Sequence, residues 1–184
     1  VECTDVRPET KEQVESLGGR YLSVEGAEGV KTEGGYAREV SAEYLEKQQQ
    51  LIREKIKDAD LVITTALVMG KKSPILVTED MVKSMKAGSV IVDMAVESGG
   101  NCAISEKNAT VVKHGVTLVG ESNLPSLLPV NASQLYATNI STLAFHVVGE
   151  TGITLDLEDE ITKGVLITHQ GELVHSFTKQ ILSQ

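Results

Sequence analysis

Residues 88–102 run Gly-Ser-Val-Ile-Val-Asp-Met-Ala-Val-Glu-Ser-Gly-Gly-Asn-Cys. Ser89–Val92 is short, uncharged and rich in β-branched residues, which reads as a strand buried on both faces. Asp93 stands where that run stops, and Glu97 and Gly99-Gly100-Asn101 follow in a segment too rich in glycine to continue a strand. A buried parallel strand that empties into an acidic, glycine-rich loop places a ligand site outside the carboxyl end of the strand. The rest of the chain can be read by how it packs beside this strand or adds loops to the same edge.

Upstream, Val1–Thr4 reads as the end of a strand with Asp5 at its tip. Pro8 suits the first position of a helix, Glu9 and Glu12 favour its dipole, and Gly18-Gly19 ends it. Tyr21–Val24 is a short strand, and an acidic, glycine-containing loop precedes a long helix from about Tyr36 to Lys57. Leu61–Thr65 is a second buried strand. Thr78 caps a helix with Glu79 and Asp80 in its first turn. Gly88 stops that helix and delivers the chain to the opening strand. Strand, helix, strand, helix, strand at this spacing predicts a parallel sheet, with crossover helices on both faces.

Downstream, Thr110–Val112 and Val116–Val119 are short strands around His114-Gly115, and Asn123–Pro129 reads as an extended loop. Asn131 can cap a helix in which Tyr136, Ile140, Leu143, Ala144 and Val147 form an apolar seam. Beyond it lie an acidic turn at Glu158–Glu160 and a hairpin of Val165–Thr168 with Glu172–His175.

The 184 residues suit one soluble domain, or one and a portion of another. Aromatics make up 3% and Trp is absent, so the core is aliphatic. A net charge of −9 without a basic cluster argues against nucleic acid, whose phosphates need basic patches. No apolar run approaches a membrane span. Cys3 and Cys102 lack disulfide or zinc spacing, which favours a reducing compartment.

Asp5 can accept hydrogen bonds from a ribose, as a strand-tip acid does in dinucleotide-binding folds, or it can cap the helix after Pro8. The glycine-rich phosphate loop expected about 20 residues before such an acid is not in the sequence, so the fold reads as one entered at its second strand. Gly34-Gly35-Tyr36 is either a lid or the loop before a helix. Thr64-Thr65-Ala66-Leu67 ends a strand with small residues that let a flat ring approach the backbone. Asp93 and Glu97 are either a pair for acid–base work or solvated loop acids. The four histidines show no metal spacing, and no nucleophilic triad can be drawn.

Several stretches in order carry a resemblance: Asp5-Val6-Arg7-Pro8-Glu9, Gly34-Gly35-Tyr36-Ala37, Ile63-Thr64-Thr65-Ala66-Leu67, Ser89–Asp93 running to Gly99-Gly100-Asn101-Cys102, Asn123-Leu124-Pro125-Ser126 and Ala132-Ser133-Gln134-Leu135-Tyr136. Together they resemble the NAD(H)-binding domain, domain I of the alpha subunit, of proton-translocating nicotinamide nucleotide transhydrogenases. The resemblance implies an α/β fold: a Rossmann-like parallel sheet entered at its second strand, with a C-terminal segment returning to a second lobe. Residues 1–130 would form the partial nucleotide-binding lobe, and 131–184 a helix and hairpin of the other lobe.

It also implies NAD(H) as cofactor and hydride transfer to NADP⁺ held on a partner domain. A membrane domain would couple the transfer to proton movement. The domain would be a homodimer, peripheral to an energy-transducing membrane on its cytoplasmic or matrix side. Asp5, Val6 and Arg7 match the segment at the adenosine ribose. Gly35 and Tyr36 match a loop that closes over the nucleotide, and Gln48, Thr64, Ala66 and Leu67 match positions near it. No residue of this chain is matched to a catalytic role.

Met69 and Leu127 depart from the family's usual Pro and Arg. The family's Arg-Gln-Asp loop and phosphate loop would lie before Val1, so an upstream segment or chain is expected to complete the site. Two other readings stand beside this one. One is an alanine dehydrogenase, in which a catalytic Asp replaces Glu97; the Asp5–Glu9 match favours transhydrogenase. The other is a non-catalytic nucleotide-binding remnant.

Overall fold

A computed structural model describes residues 1–24, 32–33, 36–37, 41–68, 71–149 and 152–183, with only the backbone at 32–33, 36–37 and 149. The chain divides into two compact units, Val1–Leu124 and Pro125–Gln184.

The first unit begins with β1 (Glu2–Cys3), α1 (Thr10–Ser16) and β2 (Arg20–Tyr21). β1 and β2 pair in parallel, Glu2 beside Arg20 and Cys3 beside Tyr21. Helix α1 starts two residues beyond the expected Pro8, and Glu9 precedes it without a capping bond. The strands β3 (Thr32–Glu33) and β4 (Tyr36–Ala37) form an antiparallel pair. Tyr36 therefore lies in a strand rather than in the long helix. That helix, α2 (Ala42–Lys55), starts where Ser41 caps it, its hydroxyl accepting from Tyr44 N at 3.2 Å. A single 3₁₀ turn, Ile56–Asp58, follows.

Next come β5 (Leu61–Thr64), α3 (Glu79–Lys83), β6 (Val90–Asp93), β7 (Thr110–Lys113) and β8 (Val116–Val119). They form a sheet in the order β5-β6-β8-β7, parallel except for the antiparallel edge strand β7. Thr78 caps α3 as its sequence signal predicts. His114 and Gly115 both take positive φ, the twist a two-residue hairpin turn requires.

Period-two alternation assigns the faces. Val62, Ile91 and Leu118 lie side by side in register, and Ile91 and Leu118 are fully buried. Met81 and Val82 of α3 pack with them, as do Val77, Cys102, Val116 and Ile56. Ile52 of α2 joins the same cluster. Each such side chain contributes about 1.5–3 kcal/mol by leaving water. The opposite face differs from expectation. Leu61 and Ile63 are 58% and 57% exposed, and Val90 and Val92 are only half-buried. Neither strand is buried on both faces, and the helices that contribute to the core cluster, α2 and α3, serve one face. Among the described residues no strand pairs with the outer edge of β5, and the β1–β2 pair forms a separate sheet. Helix α2 touches both sheets: Lys55 Nζ lies 3.6 Å from Glu2 Oε1, and Ile52 packs against the core cluster of the four-stranded sheet.

At Leu124–Leu127 a short helix, α4, replaces the expected extended loop. In the second unit α5 (Pro129–Val147) starts with Pro129 at its first turn, where a missing N–H costs nothing, rather than at an Asn131 cap. Its apolar seam is present, but no residue of α5 is buried: Leu135, Tyr136, Ile140 and Phe145 are exposed. There follow the pair β9 (Val148–Gly149) and β10 (Gly152–Ile153), then α6 (Glu160–Val165). The hairpin β11 (Thr168–His169) and β12 (Glu172–Leu173) is shorter than expected, and α7 (Ser176–Leu182) follows it. The start of the predicted hairpin strand is helical because Asp159 caps α6, accepting from Thr162 N at 2.7 Å.

Candidate functional site

The carboxyl edge of the four-stranded sheet is built around Asp93. Its partner in register is Thr64, whose hydroxyl donates to Asp93 Oδ1 at 3.4 Å. After β6 the chain makes a 3₁₀ turn at Val96–Ser98, and Gly99 and Gly100 take φ of 101° and 78°. Two successive left-handed residues turn the backbone N–H groups inward. Asp93 Oδ1 accepts from Ala95 N at 3.1 Å and Asn101 N at 3.1 Å. Oδ2 accepts from Asn101 N and Cys102 N, both at 3.0 Å. A Cβ on Gly100 would lie 2.8 Å from Asp93 Oδ2, so glycine is needed there for space as well as for φ.

Asp93 is fully buried and its oxygens are committed to the loop. Glu97 is on the outside, within 3.3 Å of Lys107 Nζ. The two acids are therefore not a pair for acid–base work. Asn101, also fully buried, joins this loop to the one after β5. Its Oδ1 accepts from Ala66 N at 2.9 Å, and its Nδ2 donates to Ala66 O at 2.9 Å and Pro74 O at 2.8 Å. Its backbone carbonyl accepts from Leu76 N and Val77 N. Thr64 is buried, Ala66 half-buried and Leu67 53% exposed, so the tip of β5 presents small and apolar surface above a fixed floor.

The tip of β1 is built differently. Arg7 clamps Asp5 by two side-chain bonds, Nε to Oδ1 at 3.0 Å and Nη2 to Oδ2 at 2.9 Å, while Arg7 N donates to Oδ1 at 2.8 Å. Tyr21 Oη on β2 donates to Asp5 O at 2.7 Å. Burial pushes the Asp5 carboxyl upward, but the Arg7 hydrogen bonds and charge outweigh it and hold the group below its usual range. Asp5 is thus a local clamp and not a cap for α1. A carboxylate has room for about four donors, so the clamp does not exhaust it.

Val6 is half-buried and Gln48 is buried on α2. One turn before Gln48, Tyr44 is buried near Tyr21 and Asp5, and burial pushes its phenol up to about 12. Tyr44 Oη and Thr4 Oγ1 are buried without hydrogen-bond partners. Gly34, Gly35 and Met69 lie outside the described residues, and Tyr36 is described only by its backbone in β4.

The structure thus brings Asp5, Val6 and Arg7 together at one strand tip, and Thr64, Ala66 and Leu67 at another. The role of Asn101 has no counterpart among the sequence expectations. Its signal, an Asn directly after two glycines, carries no indication of a partner 35 residues upstream.

Three comparisons bear on this arrangement. The family described as "Alanine dehydrogenase/PNT, C-terminal domain" matches residues 1–176. The chain is 48% identical over 179 residues to the protein named as the first part of "NAD(P) transhydrogenase subunit alpha" of Rhodospirillum rubrum, covering 95% of this chain and 47% of that protein. It therefore spans about half the length of that relative. Among solved structures, a transhydrogenase from Sinorhizobium meliloti superposes with a TM-score of 0.68 at 41% identity, over 95% of this chain and 45% of that one. An L-alanine dehydrogenase superposes at 0.64 and 27% identity, over 100% and 46%.

Proposed function

The chain belongs to the alanine dehydrogenase/PNT C-terminal domain family, and from that premise we propose that it is the NAD(H)-binding portion of a NAD(P) transhydrogenase alpha subunit. In this reading it holds NAD(H) while hydride passes to NADP⁺ on a partner domain, and a membrane domain couples the transfer to proton movement. The assembly is a dimer peripheral to its membrane; among the described residues no helix is long and apolar enough to cross one. The observation that carries the reading is the 48% identity to a transhydrogenase alpha subunit over 95% of the chain.

The residues present fit a dinucleotide. Asp5 retains acceptor capacity at a strand tip, and the buried Thr4 and Tyr44 hydroxyls beside it lack partners that a polyhydroxylated ligand could supply. Asp5, Val6 and Arg7 would hold the adenosine ribose, with Gly35, Tyr36 and Gln48 closing around the nucleotide. The β5 tip from Thr64 to Leu67 would support the other half. The cofactor supplies the hydride, and the protein supplies position and exclusion of water. That division of labour agrees with strand-tip acids that are not set up to move protons: Asp93 is buried on backbone amides, and Asp5 is held ionised by Arg7. It also separates this reading from alanine dehydrogenation, for which Glu97, exposed and paired with Lys107, is poorly placed.

The exposed edge and face of β5 support a further element of the reading. A strand from outside these 184 residues, inserted between β1 and β5, would pair both edges and bring its own phosphate loop. Unpaired backbone groups that become buried cost about 1–3 kcal/mol each, so the isolated 184 residues should bind NADH poorly. The test is NADH titration by fluorescence, with this chain alone and with the completing segment joined or added. Transhydrogenation with an NADP(H)-binding partner is then assayed. Tight binding and hydride transfer are expected only in the completed protein. NADH oxidation that depends on pyruvate and ammonia would replace this reading with the alanine dehydrogenase one.

A further inference from the structure

We infer that Asn101 is a positioning residue for the dinucleotide, setting the level of the β5 tip by holding both peptide groups of Ala66. The inference rests on the NAD(H) reading above. It starts from what happens to the backbone where β5 ends. Ladder pairing with β6 stops at Thr64 and Asp93, yet the chain must continue outward as a defined surface. A residue just past a ladder has an N–H and a C=O without strand partners, and such groups normally turn to water. At Ala66 a buried side chain replaces the missing strand: Asn101 accepts from its N–H and donates to its carbonyl, both at 2.9 Å. A third bond, to Pro74 O at 2.8 Å, ties the far end of the same loop.

The amide is held as firmly as it holds. Asn101 N is pinned by both oxygens of the buried Asp93, and Asn101 O accepts from Leu76 and Val77. The donor pattern around Ala66 also fixes which end of the side chain is oxygen and which is nitrogen. One consequence is specific: the single donor of Ala66 N is spent on Asn101, so Ala66 meets a ligand through its small apolar surface and the remaining lone pair of its carbonyl, never as a hydrogen-bond donor. A second concerns chemistry at position 101. Aspartate would still accept from Ala66 N, but it would set a carboxylate oxygen against the Ala66 and Pro74 carbonyls in place of two donors. The loop would then be pushed off the sheet at the point where the cofactor is supported, while the Asp5 side is untouched.

The experiment compares NADH with AMP, which lacks the half supported by the β5 tip, on the full-length protein carrying Asn101→Asp or Asn101→Ala. The expected result is at least a tenfold loss of NADH affinity with AMP affinity within twofold of the unsubstituted protein. Equal proportional losses for both ligands mean a general structural role and overturn the inference. So does NADH affinity within twofold of the original in both variants. Should the variants fail to fold, the unsubstituted protein still decides by NMR. The Asn101 Nδ2 protons are expected to exchange slowly without nucleotide, to shift with NADH and to stay put with AMP; absence of the NADH shift overturns the inference. Unsubstituted protein that binds AMP and NADH equally weakly removes the NAD(H) reading itself, and this inference with it.

Discussion

Asp5 and Asp93 each stand at the carboxyl end of a parallel strand, and the two strand tips use the same side chain for opposite purposes. At the β1 tip the carboxylate is half-exposed, held by the side chain of a residue two positions on, and has capacity left for a ligand. At the β6 tip it is fully buried and turned inward onto backbone amides eight and nine positions on. One tip leaves its carboxylate facing out, where the proposed reading sets the ribose; the other is a nail for the loop that forms the floor. A strand-tip acid thus acquires its role from where its donors come from. Donors on a neighbouring side chain leave the group facing out, whereas donors presented by two left-handed glycines bury it.

The comparison is broken most directly by Asp93→Ala. This leaves the N–H groups of Ala95, Asn101 and Cys102 without their acceptor in a closed environment. At about 1–3 kcal/mol per buried group, the full-length protein should lose about 3 kcal/mol or more of unfolding free energy. That is a large fraction of the roughly 5–15 kcal/mol available to a domain. Urea unfolding measures it. A loss below about 1 kcal/mol would mean that Asp93 is as peripheral to the fold as Asp5.

Asp5→Asn reverses the weighting. Stability should change by no more than about 1 kcal/mol, as for other partly exposed ion pairs. NADH binding should weaken by about 1–3 kcal/mol, since a charged acceptor is lost at the ribose. Calorimetric titration beside the same urea experiment gives both numbers. Unchanged NADH affinity would remove Asp5 from the site and leave only its clamp on Arg7.

This contrast is only half legible in the sequence. Val90–Asp93 and Val116–Val119 can be read because β-branched runs bounded by turn residues have few alternatives, and the Thr78 cap and the His114-Gly115 turn carry their own local chemistry. The start of α2 misleads. Ala37 and Val40 extend the apolar pattern upstream, but Ser41 decides the matter by capping. The exposed face of β5 cannot be read at all. Leu61 and Ile63 look like core residues, and what they would pack against is not among the described residues. The Asp93–Asn101–Ala66 connection is hidden for another reason. It depends on backbone conformation at Gly99 and Gly100 and on loops brought together by sheet register. No periodicity reports either.

The smallest expected effect sharpens the comparison most, because it tests the clamp itself. Two opposed influences act on Asp5: burial raises its pKa, and the Arg7 side-chain bonds, backbone bond and charge lower it, with the net shift downward. A carboxyl whose folded pKa is depressed contributes stability that is present above the unfolded value, near 3.9. That contribution is lost as pH falls through the lower folded value. The Asp5–Arg7 pair should therefore be fully formed at neutral pH and fail only below about pH 4. Arg7→Gln removes the guanidinium bonds and charge but keeps the backbone bonds from positions 6 and 7, so burial is opposed by less. The Asp5 midpoint should then move upward from below the usual carboxylate range. Carbon-13 NMR of the Asp5 carboxyl, titrated downward from neutral pH in both proteins, reads the sign directly. Across the pH range between the two midpoints, NADH affinity should fall in the Arg7→Gln protein while it holds in the original, because a protonated Asp5 can no longer accept at both oxygens. Coincident midpoints would show that the carboxylate owes its charge to solvent rather than to Arg7, and the β1 tip would then be an ordinary exposed acid.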